Sequence, residues 1–263
     1  MSEPASGRRV ALVTGASRRN GIGAAICRAL AAAGNDVAFT HWQRYDQQFP
    51  WGARSEDPET LLEELRATGV RAEAFEVDLS QPETPPRLFG LVTERLGPVA
   101  ILINNAAYST QDGWEALDAA TLDAHYAVNI RGMALLSVEL ARRWEGSSGG
   151  RIINMTSGQS LGPMPTELAY AATKGAVEAI TRSLADGVAQ LGITVNAVNP
   201  GPTDTGWIDD DLRTALLPMF PTGRIGTPED AARAVAFLAS EEAAWITGQV
   251  IHSEGGFARG APR

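Results

Sequence analysis

Short apolar segments alternate with longer helical patterns along the whole chain of 263 residues. This alternation indicates repeated strand–helix units, which form a parallel sheet. The predicted strands are almost continuously apolar, as expected when helices cover both faces of the sheet. They lie at about residues 9–14, 36–41, 71–77, 99–104, 150–156, 194–198 and 250–252.

Helical patterns fill the intervals between these strands, at about residues 21–33, 58–68, 82–96, 119–144, 166–191 and 228–239. The sequence has no internal repeat, low-complexity tract or domain linker. We therefore predict the α/β class: a doubly wound, seven-stranded parallel sheet flanked by helices, in a single Rossmann domain over residues 1–263.

Two segments are longer than the usual connections of such a fold. Residues 41–52 carry several aromatic side chains and could form a lid, a partner contact or a self-packed surface loop. Residues 200–226 contain four prolines and the apolar patch 216–220. A long connection at the carboxyl edge of a sheet is where lids occur, so we predict a substrate lid at about 200–226.

Composition limits the partners and the compartment. A net charge of −9 argues against nucleic acid or an anionic membrane as the main partner, and ordinary solubility explains it. The single cysteine, Cys27, lies in an alanine-rich helical pattern and is expected in the core of a protein from a reducing compartment. No apolar run approaches the roughly 20 residues that span a bilayer, and residues 1–7 lack the apolar core of a signal peptide. We expect a cytoplasmic protein.

A glycine-rich loop joins the first strand to the first helix. Glycines at such a turn let the backbone approach a pyrophosphate, whose charge then lies at the amino end of the helix. The position between a strand and a helix favours a dinucleotide site over an unrelated glycine-rich turn. The expected cofactor contacts here are Gly15, Ser17, Gly21, Ile22 and Gly23.

The second predicted strand indicates which dinucleotide is used. Sites that prefer NADH usually place a carboxylate at the end of this strand, but this strand ends at His41 without an acid. Instead Arg18 and Arg19 lie in the glycine loop and His41 and Arg44 are nearby, and cations of this kind bind a 2′-phosphate. We therefore expect NADPH/NADP⁺ rather than NADH/NAD⁺. The alternative is that Arg18 and Arg19 are solvated loop residues.

Lysine occurs once in the chain, at Lys174, against twenty-one arginines. Because lysine is a compact cation that can release its proton and arginine is not, this position favours a chemical role. Tyr170 precedes it by four residues, so both side chains lie on one face of a helix. An adjacent ammonium is expected to lower the pKa of the phenol toward that of a general acid or base. A plain helix surface is the alternative for the spacing alone.

These residues belong to an ordered series of motifs, and the chain resembles the short-chain dehydrogenase/reductase family over nearly its whole length. Ser157 precedes Tyr170 by thirteen residues, the separation usual in that family. The matching segments are the glycine loop, Asp78-Leu79, Asn104-Asn105-Ala106-Ala107, Asn129, Ser157 with Tyr170 and Lys174, residues 199–205 and residues 246–256.

The resemblance implies a catalytic role for four residues. Tyr170 would protonate the developing alkoxide while the nicotinamide delivers hydride to the carbonyl carbon. Lys174 would hold the nicotinamide ribose and depress the tyrosine pKa. Ser157 would bind the substrate oxygen, and Asn129 would hold a water that links Lys174 to solvent.

The resemblance also implies further cofactor contacts. Asp78 and Leu79 would contact adenine, and Asn105, with Ala106 beside it, the adenosine ribose. The nicotinamide side would be bound by residues of the segment after the sixth strand, namely Pro200, Gly201, Thr203 and Thr205. Members of the family pair through their two long helices, which implies a homotetramer or homodimer.

Three features depart from the family pattern. Five residues separate Gly15 from Gly21 where three are usual, which makes the phosphate cradle longer. Ala107 replaces the usual glycine, and the loop at 41–52 is unusual.

We therefore expect an NADP-dependent oxidoreductase that interconverts a small-molecule ketone and its secondary alcohol. It looks most like the 3-oxoacyl-acyl-carrier-protein reductases, although natural-product ketoreductases share the pattern. The alternatives are an epimerase or dehydratase of the same fold and a non-catalytic dinucleotide sensor. Gln159 and Met164 are expected to touch the substrate. No metal site is predicted, since Asp209–Asp211 indicate a helix start and His125 and His252 lack ligand spacing.

Overall fold

The computed structural model describes residues 7–50 and 52–259. Residues 1–6, which belong to the segment that lacks a signal-peptide core, lie outside the described residues. Trp51 of the long aromatic loop lies outside them too.

One sheet of seven parallel strands forms the centre of the molecule, as predicted. Its strand order is β3-β2-β1-β4-β5-β6-β7. Strands β1 and β4 are neighbours at the centre of the sheet. The chain continues from β1 to β2 on one side and from β4 to β5 on the other, which opens a crevice at the carboxyl ends of β1 and β4. The strands are β1 Val10–Val13, β2 Asp36–His41, β3 Ala72–Glu76, β4 Val99–Asn104, β5 Gly150–Met155, β6 Ile193–Asn199 and β7 Val250–His252.

Helices cover both faces of the sheet and bury two apolar layers. Helices α1, α3 and α10 pack over one face, with Ile26 and Phe39 in that layer. Helices α4, α7 and α8 pack over the other, with Leu88 and Leu136. The helices are α1 Ile22–Ala32, α2 Gln43–Asp46, α3 Asp57–Ala67, α4 Thr84–Arg95, α5 Gly113–Ala116, α6 Ala119–His125, α7 Met133–Arg143, α8 Leu168–Val188, α9 Asp210–Leu216 and α10 Pro228–Ala239. Cys27 is fully buried, as predicted.

The helix predicted over residues 119–144 is not continuous. A π-helix, Tyr126–Gly132, separates α6 from α7. Here the backbone approaches the loop after β3, because a Cβ on Gly132 would lie 2.7 Å from the Leu79 carbonyl oxygen. Apolar periodicity does not distinguish a π-turn from an α-turn, so the sequence could not predict this interruption.

The predicted lid segment contains α9, a 3₁₀ turn at Leu217–Met219 and a small apolar cluster of Ile208, Phe220 and Ile225. The apolar patch at 216–220 is thus not wholly exposed, since Phe220 is buried. Asp209 begins α9 by accepting a hydrogen bond from the Leu212 N–H, which confirms the predicted helix start. In the described part of the chain, no helix is both long and apolar enough to cross a membrane.

Candidate active site

A cavity of about 1770 Å³ opens at the carboxyl ends of the central strands. The glycine loop and the segment after β2 form one end, and Ser157, Tyr170 and Lys174 lie at the other. A parallel sheet places ligands at this crevice because the strands on either side of it lead to loops that diverge. No three His, Cys, Asp or Glu side chains within residues 7–50 and 52–259 are arranged to hold a metal ion.

Two glycines of the loop form a cradle that leaves no room for a side chain at either position. Gly15 has φ +74°, and a Cβ there would lie 2.6 Å from Ala106 Cα. A Cβ on Gly23 would lie 2.4 Å from the Gly15 carbonyl oxygen. Helix α1 begins next to this cradle, and its N-cap Gly21 offers no capping side chain. The amino end of α1 therefore faces the cleft with backbone N–H groups available to an anion.

The longer glycine loop reaches across the cleft. Asn20 Nδ2 lies 3.1 Å from the Thr205 carbonyl oxygen, and Arg18 donates to the same oxygen at 3.2 Å. The extra residues thus connect the loop to the segment after β6, where Pro200, Gly201, Thr203 and Thr205 all line the cavity.

The two loop arginines have different environments, which corrects the expectation that both face the cofactor. Arg19 forms an ion pair with Glu64 on α3 and does not line the cavity. Arg18 lines the cavity, but its Nε is 3.1 Å from the Asp46 carboxylate. The charge of Arg18 is therefore largely neutralised within the chain.

Residues 42–50, which we call the strap, fold back over the cleft and include α2. The Tyr45 hydroxyl donates to the Ser109 carbonyl oxygen at 2.9 Å and accepts from the Ser109 N–H at 3.0 Å. At its other side, Asp46 accepts a hydrogen bond from Ser17, while burial raises the pKa of its carboxyl. The strap is thus bound to both sides of the cleft. Asp46 also supplies an acid that the carboxyl end of β2 lacks.

The end of the cavity beside β2 and β3 is lined by His41, Arg44 and Asp78. Burial lowers the pKa of His41. Arg44 is exposed, and its guanidinium lies 5.3 Å from the centroid of the Trp42 ring. Burial raises the pKa of Asp78, but hydrogen bonds from Ser80 and Gln81 and the charge of Arg44 lower it. Arg44 thus lies near the end of β2 and forms no ion pair among the described residues, although its charge acts on Asp78.

Asn105 and Ala106 follow β4 and line the cavity. The side-chain amide of Asn105 donates to the carbonyl oxygens of Thr14 and Gly15, at 2.8 and 2.9 Å. These bonds tie the end of β4 to the glycine loop. The Asn105 amide, which the resemblance assigned to the adenosine ribose, is therefore hydrogen-bonded within the chain.

Ser157, Tyr170 and Lys174 come together from two parts of the fold: the segment after β5 carries Ser157, and helix α8 carries Tyr170 and Lys174. Ser157 follows β5 and hydrogen-bonds the Tyr170 hydroxyl. Lys174 is 3% exposed, its Nζ donates to the Met155 carbonyl oxygen at 2.8 Å, and it lies 5.3 Å from the Tyr170 ring centroid. The serine and tyrosine hydroxyls can bind one substrate oxygen between them, with a cation beneath the ring.

The predicted lowering of the Tyr170 pKa is not found. Burial raises the pKa of the phenol, the Glu167 carboxylate raises it further, and the hydrogen bond from Ser157 acts in the opposite direction. Burial also lowers the pKa of Lys174 to about 8. Desolvation thus exceeds the effect of the ammonium, whose hydrogen bond goes to Met155 rather than to the phenol.

Replacing Lys174 with methionine should stabilise the fold at neutral pH. Below pH 8 Lys174 is protonated in both the folded and the unfolded chain, so the folded chain bears the full cost of burying its charge. Between about 8 and the usual 10.5 the folded chain loses the proton first and the cost disappears. We expect the free energy of unfolding at pH 7 to rise by ~1–2 kcal/mol, after allowing for the unbonded Met155 carbonyl. Urea unfolding at pH 7 and pH 10 measures this. A gain that does not shrink at pH 10 would contradict it.

Asn129 lies in the π-helix, is buried and does not line the cavity. Its side-chain amide accepts from the Tyr108 N–H at 2.7 Å and donates to the Tyr108 carbonyl oxygen at 2.8 Å and to Thr173 at 3.0 Å. The side chain therefore fixes the loop after β4 against α8.

Of the two residues expected to touch substrate, only Met164 lines the cavity. Gln159 instead donates to Glu178 at 2.6 Å, one turn after Lys174 on α8. Gln159 hydrogen-bonds Glu178 because a buried carboxylate requires hydrogen-bond donors from its neighbours.

Sequence reasoning missed Asp112, which caps the helix that carries Tyr170. The N-cap residue of α8, Glu167, makes no capping bond. Instead the Asp112 carboxylate accepts from the N–H groups of Leu168 at 2.7 Å, Ala169 at 3.0 Å and Gly113 at 2.6 Å. The cap comes from 56 residues upstream, so no local capping pattern exists to be read.

The Asp112→Ala variant should lose both stability and activity. Two N–H groups of α8 would lose their acceptor next to Tyr170, and we expect a loss of ~2 kcal/mol in the free energy of unfolding with a lower kcat. Asp118→Ala is the matched control, because Asp118 caps α6 through the Thr121 N–H and positions no residue of the site. Urea unfolding and ketone-reduction assays distinguish them. Equal kcat in the two variants would show that Asp112 is merely structural.

Comparisons with known proteins agree with this geometry. The sequence profile of the family described as enoyl-(acyl carrier protein) reductase matches residues 15–258. The Uncharacterized oxidoreductase YjdA of Bacillus subtilis is 56% identical over 257 residues, covering 97% of this chain and 99% of that protein. The 3-oxoacyl-(acyl-carrier-protein) reductase FabG of Staphylococcus epidermidis is 34% identical over 249 residues, covering 94% of this chain and 97% of FabG.

Among solved structures, a blue fluorescent protein from a metagenomic library in complex with NADPH has a TM-score of 0.83 and 33% identity, covering 95% of this chain and 98% of that one. The chain belongs to the short-chain dehydrogenase/reductase family, and its fold is that of a nicotinamide dinucleotide enzyme. Within that family of oxidoreductases it resembles the 3-oxoacyl-acyl-carrier-protein reductases.

Proposed function

We propose that this protein is an NADPH-dependent ketoreductase that interconverts a small-molecule ketone and its secondary alcohol. The observation that carries the proposal is the Ser157–Tyr170–Lys174 cluster, which lines the same cavity as the glycine cradle. The dinucleotide fits this chain because the cradle excludes any Cβ at Gly15 and Gly23 and adjoins the open amino end of α1. When bound, the nicotinamide supplies or accepts a hydride.

The residues of the chain supply the proton and the polarisation. In the direction of reduction, the Tyr170 hydroxyl gives its proton to the substrate oxygen, and the raised pKa keeps this phenol protonated at neutral pH. The Ser157 hydroxyl donates to the same oxygen as charge develops on it. Lys174, with a pKa of about 8, is the group that can return a proton toward Tyr170. Asn129 acts by holding the loop after β4 against α8.

The proposed preference for NADPH is carried by Arg44. Arg18 and Arg19 are paired with Asp46 and Glu64, whereas Arg44 has no carboxylate within ion-pair distance among the residues that the structure describes. An exposed guanidinium beside a tryptophan ring suits a 2′-phosphate next to adenine.

The Arg44→Ser variant should raise KM for NADPH about tenfold and leave KM for NADH within about twofold, because only NADPH carries the 2′-phosphate. Arg54→Ser is the matched control, since Arg54 is an exposed arginine nearby that does not line the cavity. Initial rates with each dinucleotide measure the effect. Equal changes in the two KM values would contradict the role of Arg44.

The function itself is tested by following NADPH and NADH consumption across a panel of acyl thioesters, cyclic ketones and sugars. We expect oxidation of NADPH with at least one ketone. A strong preference for NADH would refute the cofactor assignment. Retention of NADP⁺ without net oxidation would instead favour an epimerase or dehydratase.

A further inference from the structure

Glu167 is a carboxylate at the substrate end of the cavity that the proposed reaction does not use. It lies three residues before Tyr170, is half-buried and lines the same wall. Its carboxylate accepts a hydrogen bond from the Ser109 hydroxyl. Within residues 7–50 and 52–259, no lysine, arginine or histidine lies within ion-pair distance of it.

The surroundings of Glu167 make an unpaired carboxylate costly. Burial raises the pKa of this carboxyl, and the nearby Asp112 carboxylate raises it further. Asp112 is itself satisfied by backbone N–H groups at the start of α8. His125, which interacts electrostatically with Asp112, bonds the Thr121 carbonyl oxygen through Nδ1. Of the two carboxylates, Asp112 is therefore stabilised by backbone N–H groups, whereas Glu167 lacks a counter-charge among the described residues.

The cations nearest the reacting residues are already engaged. Lys174 donates to the Met155 carbonyl oxygen. Arg259, which packs against Gly158, forms a two-fold ion pair with Glu254 at 2.8 and 2.7 Å. Glu167 is thus a carboxylate at the substrate end of the cavity that has no cation within ion-pair distance among the described residues.

Apolar and aromatic side chains also line this cavity. They include the side chains of Tyr108, Met164, Trp207, Met219 and Phe257. Such walls accommodate a hydrocarbon frame, while the faces of the aromatic rings also favour a cation. A ligand that matches both features has an apolar skeleton and a positive charge.

On the basis of the proposed ketoreductase function, we propose that Glu167 recognises the substrate and that the site favours ketones bearing a protonated amine, or the corresponding amino alcohols. An ammonium beside Glu167 would supply the missing counter-charge and offset the repulsion from Asp112. A carboxylate on the substrate would be repelled by the same pair. The partly desolvated site strengthens both effects relative to water.

Three cyclic ketones of similar size test the proposal at pH 7: N-methyl-4-piperidone, which is largely protonated, 4-methylcyclohexanone, which is neutral, and 4-oxocyclohexane-1-carboxylate, which is anionic. We expect kcat/KM to be about tenfold higher for the piperidone than for the neutral ketone, and lower still for the carboxylate. The preference should decrease with added salt.

Glu167→Gln should bring the ratio of kcat/KM for the cationic and neutral ketones to within about twofold. The ratio is the readout because the Glu167 charge also acts on Tyr170, which changes the rates for all three ketones together. Glu115→Gln, the same change at an exposed position outside the cavity, is the control and should keep the wild-type ratio.

The possible failures are distinguishable. If the wild-type protein reduces the three ketones with equal kcat/KM, or if Glu167→Gln keeps the preference, the role of Glu167 is wrong and the ketoreductase function stands. If no ketone of this set or of the larger panel is turned over with either dinucleotide, the proposed function fails.

Discussion

Replacement of Tyr170 by phenylalanine is expected to lower kcat for ketone reduction by about a thousandfold or more. The change removes the hydroxyl that gives its proton to the substrate oxygen and leaves the ring, with Lys174 5.3 Å from its centroid, in place. Burial raises the pKa of the wild-type phenol, so this hydroxyl carries its proton at neutral pH, and phenylalanine has none to give. Single-turnover measurements with saturating dinucleotide give the rate of the chemical step.

Tyr126→Phe is the control for this variant, because Tyr126 is an exposed tyrosine of the π-helix and losing its hydroxyl should leave kcat unchanged. Binding of NADPH, followed by fluorescence titration, should persist in Tyr170→Phe because the glycine cradle is untouched. If reduction of every accepted ketone proceeds at the wild-type rate in Tyr170→Phe, the proposed mechanism is wrong.

Replacement of Lys174 by arginine is expected to lower kcat/KM by roughly a hundredfold or more although the positive charge is kept. The side chain is 3% exposed, and its Nζ lies 2.8 Å from the Met155 carbonyl oxygen, so a planar guanidinium cannot occupy the same space. Burial also lowers the pKa of Lys174 to about 8, which lets an ammonium release its proton near neutrality, whereas a guanidinium retains it.

Arg142→Lys is the reciprocal control, since Arg142 is exposed on α7 and should accept the exchange without loss of activity. Steady-state kinetics over pH 6–10 measure both variants. A Lys174→Arg enzyme that keeps more than a tenth of wild-type kcat/KM would show that this position requires charge alone.

The sequence predicted the strands closely because a strand covered on both faces must be apolar along its length. The predictions for β2, β4 and β7 coincide with the observed bounds, and the others differ by one or two residues. Helix α10 was also predicted exactly where it lies. The π-helix was not predicted, because it depends on the approach of Gly132 to the loop after β3 and on the bonds of Asn129 to Tyr108.

The sequence by itself determined the class of fold, the glycine cradle and the Ser157–Tyr170–Lys174 cluster. The fold class follows from periodicity and the cradle from glycines between a strand and a helix, whereas the cluster was assigned through the resemblance to the short-chain dehydrogenase/reductase family. Only the tertiary structure decided which charges are paired. It joined Arg18 to Asp46 and Arg19 to Glu64, and it left Glu167 without a counter-charge. Burial, which raises the Tyr170 pKa where the sequence predicted a decrease, is likewise a property of packing. The physical reason is that ion pairing and desolvation depend on distances between segments far apart in the chain, which spacing along the sequence does not encode.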